Sequence, residues 1–115
     1  TLYVARFEAG GSGQWIALVH GENGLTADHG FGSQAEVLIR TRQAGDRVGA
    51  TMMDRPEWIA VHPVTGEVYC TLTNNNRRGG ATANAADGTT PLAGAQPPVD
   101  GANPRANNAF GHIVR

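Results

Sequence analysis

Residues 1–8 alternate along the chain, with Leu2, Val4 and Arg6 on one side and Tyr3, Ala5 and Phe7 on the other, a period that predicts a strand. Gly10-Gly11-Ser12-Gly13 breaks the run, and residues 14–19, Gln14-Trp15-Ile16-Ala17-Leu18-Val19, read as a second strand antiparallel to the first. The pattern then changes. Ser33-Gln34-Ala35-Glu36 has the form of a capping box, in which Ser33 accepts from the Glu36 amide and Glu36 reaches back to that of Ser33. Ala35, Leu38 and Ile39 follow at helical spacing, which places one helix over residues 34–44, with room to run on to Val48 and Gly45 or Gly49 as its stop. Residues 58–62 and 67–73 form the strongest hairpin signal, two β-rich runs across Pro63-Val64-Thr65-Gly66. Residues 74–109 carry almost no large apolar side chain and read as one long polar loop, before strand character returns over 110–115.

The order is strand, strand, helix, hairpin, loop, strand. Short antiparallel sets punctuated by glycine turns make a mainly β chain, suited to about one and a half blades of a propeller with one inserted helix. A small α+β domain is the alternative. Composition adds a constraint. Leu, Ile, Val and Phe make up only 22 of 115 residues, yet nine basic and ten acidic residues nearly cancel, so a sparse core comes without the net charge usual in disordered chains. Apolar runs stand at both ends, Leu2-Tyr3-Val4-Ala5 and Ile113-Val114. Together these features lead us to expect a piece of a longer protein, 1–115 forming a partial propeller segment that borrows its core from other chain. All nine cations are arginine and lie scattered, so no basic stripe points to nucleic acid. No run reaches the roughly 20 apolar residues of a membrane span. Cys70 is alone, which excludes an internal disulfide.

Candidate chemistry gathers in Asp54-Arg55-Pro56-Glu57-Trp58, two carboxylates and a guanidinium at the mouth of a strand. Proline disfavours the helical region for the residue before it, so Arg55 is expected to be extended, with Arg55 and Glu57 pointing the same way. Such a pair could hold phosphate through the guanidinium and a metal through the carboxylate. From spacing alone, a solvated ion pair ahead of a strand is the simpler account. Asn74-Asn75-Asn76 and Asn103-Pro104-Arg105-Ala106-Asn107-Asn108 offer amide oxygens that suit calcium, although asparagine after a strand is more often a turn former. Asn74 is the candidate metal ligand of the first run. His29, beside Asp28 in a glycine-bounded loop, is the one histidine with a candidate role; His20, His62 and His112 show no ligand spacing.

Three stretches taken together resemble the PhoX family of bacterial alkaline phosphatases: Gly49–Pro63 with its Met52-Met53-Asp54-Arg55-Pro56-Glu57-Trp58 core, Thr65–Asn75, and Asn103–Asn108 followed by Gly111-His112-Ile113-Val114-Arg115. The resemblance implies a six-bladed propeller, exported by the twin-arginine route to the periplasm or beyond the cell. It implies hydrolysis of phosphomonoesters with calcium and ferric iron. It carries phosphate binding over to Arg55 and a metal- or phosphate-facing role to Glu57, reversing the reading from spacing. Cys70 inherits no iron-ligating role. Most metal ligands would lie outside these residues, so the segment alone is expected to be inactive, with the remaining blades or a second copy as its partner. A non-catalytic calcium-binding propeller or scaffold is the competing class.

Overall fold

The computed structural model describes residues 1–80 and 96–115; the part of the polar loop that spans 81–95 lies outside the described residues. The fold is mainly sheet, with two small sheets and two short α-helices, distributed over two compact units.

In the first unit, residues 1–51, β1 (Tyr3–Phe7) pairs antiparallel with β2 (Gly13–Ala17), Val4 opposite Ile16 and Ala5 opposite Trp15. Gly11 turns the chain between them at φ 84°, a left-handed value that costs glycine nothing. A single helix over 34–44 is not what forms. There are two, α1 (Gln34–Ile39) and α2 (Thr41–Arg47), broken at Arg40, whose φ −101° and ψ 37° leave the helical region. The Thr41 hydroxyl donates to the Leu38 carbonyl, offering that acceptor an alternative to the helical ladder. Arg40 then turns its guanidinium over the Phe31 ring, 5.3 Å from the centroid. The capping box is also altered. Ser33 Oγ accepts from the Glu36 amide, but Glu36 Oε2 accepts from Gly32 N at 2.7 Å, one residue earlier than the motif implies. Gly49, at φ 76°, ends α2, while Gly45 is buried inside it. Leu18, Leu25, Phe31, Val37, Ala44 and Val48 form one buried cluster, with Val4 and Ile16 packed against it.

The second unit comprises the described residues 52–80 and 96–115. Its sheet has the order β3 (Pro56–Val61), β4 (Val68–Leu72), β5 (His112–Val114), all antiparallel. His62 Nδ1 accepts from the amides of Val64 and Thr65, and Gly66 takes φ 74°, so both ends of the turn are fixed locally. Leu72 is the buried large apolar residue here, whereas Asp54, Arg78, Asn103 and Asn108 are all buried. Every residue of β3 is exposed, Trp58 at 72 % and Ile59 at 66 %. This unit is centred on polar groups, not on a hydrophobic cluster.

Truncating a cluster side chain and truncating an exposed helix side chain should therefore differ sharply. Leu18→Ala is expected to cost about 2–5 kcal/mol in denaturant unfolding, whereas Ile39→Ser, at a position 82 % exposed, should stay within about 0.5 kcal/mol.

Candidate functional site

Asp54 is fully buried, and a buried carboxylate must be paired to remain charged. Three side chains pair it. Arg78 Nε donates to Oδ1 at 2.7 Å, Asn75 Nδ2 to Oδ1 at 2.9 Å and Asn108 Nδ2 to Oδ2 at 3.0 Å. Burial pushes the Asp54 carboxyl up, but the hydrogen bonds from Asn108, Arg78 and Asn75 outweigh it and hold the group below its ordinary value. The Asp54 amide in turn donates to Asn103 Oδ1 at 3.1 Å.

The partners are themselves satisfied. Arg78 is buried and donates onward to the carbonyls of Met52 and Pro98, with Asp100 3.7 Å away. Asn103 Nδ2 donates to the Met52 carbonyl and to Asp100. Asn108 Oδ1 accepts from the amides of Phe110 and Gly111. His112 Nε2 lies 2.7 Å from the Ala102 carbonyl, which can only accept, so Nδ1 is the unprotonated nitrogen that receives Asn108 Nδ2. The asparagines of 74–76 and 103–108 thus mainly anchor chain. The stretch read as a featureless loop is, in its described parts, sewn to one carboxylate.

Next to this knot stands Arg55. It is not extended: its φ is 48°, in the left-handed region, even though Pro56 follows. The backbone around it is tied down. Arg55 N donates to the Met53 carbonyl, and Thr73 N donates to the carbonyls of both Asp54 and Arg55. The register shifts between Pro56, opposite Leu72, and Trp58, opposite Thr71, so Glu57 is an extra residue in a β-bulge. Simple alternation therefore does not set the directions of Arg55 and Glu57. Both side chains are exposed. Arg55 Nη1 donates to Asn74 Oδ1 at 3.2 Å, and among the described residues its Nε–Nη2 edge has no partner. Glu57 has no hydrogen bond or ion pair among the described residues, so the solvated Arg55–Glu57 pair does not form there.

Asn74 Oδ1, the candidate ligand oxygen, accepts from Arg55 Nη1. No group of three or more His, Cys, Asp or Glu among the described residues could hold a metal ion. Glu57 offers the chemistry of one oxygen ligand, and the described residues do not build a metal centre around it. Cys70 is a free, half-buried thiol directed at its neighbour's carbonyl. His29 Nδ1 lies 3.1 Å from the Thr26 hydroxyl and its Nε2 lies 2.9 Å from Arg47 Nη2. No helix among the described residues is long and apolar enough to cross a membrane.

Sequence reasoning singled out Arg55 and Glu57 but missed Asp54 as an organiser, and missed Arg78 altogether. The signal for both was an acid, an arginine and repeated asparagines in stretches too poor in apolar residues to order themselves otherwise.

The family model described as alkaline phosphatase PhoX matches residues 1–115. No curated protein matches the chain. Among solved structures, it is similar to Pseudomonas fluorescens PhoX in complex with vanadate, a transition state analogue, at 53 % identity and a TM-score of 0.78. The match covers 96 % of this chain and 18 % of that one, so the chain spans about a fifth of the solved protein's length.

The buried pair also sets a pH dependence. Because the folded Asp54 carboxyl titrates below its ordinary value, its contribution to stability is full above about pH 4 and is lost as the pH falls further. Asp54→Asn leaves the buried Arg78 charge with only the partly exposed Asp100, 3.7 Å away, as counter-charge and should cost up to about 3–5 kcal/mol at neutral pH. Denaturant unfolding at neutral and at acid pH should show that difference narrowing below about pH 4.

Proposed function

Because the chain belongs to the alkaline phosphatase PhoX family, we propose that it is one segment of a metal-dependent phosphomonoesterase in which Arg55 binds the phosphoryl group. The observation that carries this reading is the state of Arg55. Its guanidinium is exposed, aimed by Asn74 through Nη1, and keeps its Nε–Nη2 edge free among the described residues. A planar edge with two parallel N–H groups matches two oxygens of a phosphoryl group. Held in advance, it neutralises charge on the equatorial oxygens as the ester bond breaks, with no reorganisation at that moment. The vanadate complex of the Pseudomonas fluorescens relative is consistent with a site that favours the transition state over the ester.

Calcium and ferric iron, when bound, would polarise the phosphoryl group and supply an oxygen nucleophile at low proton cost. Glu57 is the described residue suited to hold or face one of these ions, and the remaining ligands belong to the rest of the protein. The same kinship supports a six-bladed propeller for the whole protein, export by the twin-arginine route, and a periplasmic or extracellular place of work. The exposed apolar side chains of β3, Trp58, Ile59 and Val61, suit a strand covered by neighbouring blades. Expressed alone, the segment should therefore self-associate through these surfaces and lack phosphatase activity.

In the full-length enzyme, Arg55→Ala should lower kcat/KM about 10²–10³-fold with bound metal unchanged, the size of losing one preorganised donor. Arg55→Lys should recover little, because an ammonium cannot reproduce the two-point contact. Glu57→Gln should instead lower bound calcium or iron. Full activity in Arg55→Ala would remove the assignment.

A further inference from the structure

The left-handed backbone at Arg55 has to be held by something. A non-glycine residue at φ 48° costs on the order of 1–3 kcal/mol and persists only where its surroundings over-determine it. A following proline makes a relaxed alternative, the extended conformation, readily accessible. What opposes relaxation lies one residue away. The Asp54 carboxylate is gripped by Asn75, Arg78 and Asn108, its amide by Asn103, and its carbonyl by the Thr73 amide. The side chains among these partners come from the two described flanks of the polar loop. Asn75, which grips Asp54, directly follows Asn74, which grips the Arg55 guanidinium.

We infer that Asp54, clamped by Asn75, Arg78 and Asn108, and Asn74 together are positioning residues for Arg55. The buried knot sets the backbone from which Arg55 projects, and Asn74 sets the rotation of its guanidinium. This inference rests on the reading that Arg55 binds the phosphoryl group, but it assigns a role to residues that touch no substrate. The long polar segment then has a purpose: it delivers four hydrogen-bonding side chains to the residue before Arg55 in place of a hydrophobic core.

A merely structural knot would not act through Arg55, whereas here the losses should pass through it. In the full-length enzyme, Asn74→Ala and Asn75→Ala should each weaken inhibition by inorganic phosphate about tenfold, the size of one hydrogen bond to a charged group. Bound metal and thermal stability should change little for Asn74→Ala, which removes no part of the buried knot. Placed in an Arg55→Ala background, both substitutions should have almost no further effect on phosphate inhibition. If Arg55→Ala itself leaves phosphate inhibition unchanged, the reading of Arg55 as a phosphate ligand fails. If Arg55→Ala weakens inhibition while Asn74→Ala and Asn75→Ala do not, or if their effects add to it, the positioning role is overturned and the ligand assignment stands.

Discussion

The buried contact between Asp54 and Arg78, 2.7 Å long with neither side chain exposed, is the constraint on which the second unit depends. Hydrophobic burial there is slight, with Leu72 as the buried large apolar side chain. Two desolvated charges are expensive unless every remaining donor and acceptor is matched. That demand organises the rest. Arg78 needs carbonyls and finds those of Met52 and Pro98; Asp54 needs donors and finds two asparagines. Chain segments far apart in sequence are brought together because one carboxylate must be satisfied from several sides.

The energetic character of this arrangement differs from that of the first unit. There, β1, β2, α1 and α2 surround an apolar cluster whose contacts are non-directional and tolerate volume-conserving exchange at modest cost. A hydrogen-bonded knot is directional and fails steeply when one member is missing. Such rigidity is of little use for stability alone, since a well-packed apolar core often does as well. It suits the fixing of a neighbouring backbone, and the neighbour here is Arg55, whose φ is left-handed and whose Nε–Nη2 edge has no partner among the described residues.

What the sequence discloses divides along the same line. Local signals were legible: the Ser33 cap on α1 and the hairpin about Gly66 both follow from residues close in sequence. The break at Arg40 was not, because it arises from a Thr41 hydroxyl and an Arg40–Phe31 contact that helical periodicity does not record. The conformation of Arg55 went against the local rule for residues before proline, and tertiary hydrogen bonds to Asp54 and Thr73 account for the override. Asn75 and Asn108 lie 33 positions apart and meet through one carboxylate, which no local pattern encodes. The asparagine-rich runs were visible, but their shared target was not. Spacing alone favoured a solvated ion pair at Arg55 and Glu57; the phosphate-binding role proposed for Arg55 rests on the family resemblance.

The most direct test is a crystal structure of the full-length protein with inorganic phosphate bound. It should show Arg55 at positive φ, with Nη1 on Asn74, its Nε–Nη2 edge on two phosphate oxygens, and Asp54 still held by Asn75, Arg78 and Asn108. A phosphate bound without Arg55, or an Arg55 relaxed to negative φ while the Asp54 knot stays intact, would contradict that expectation.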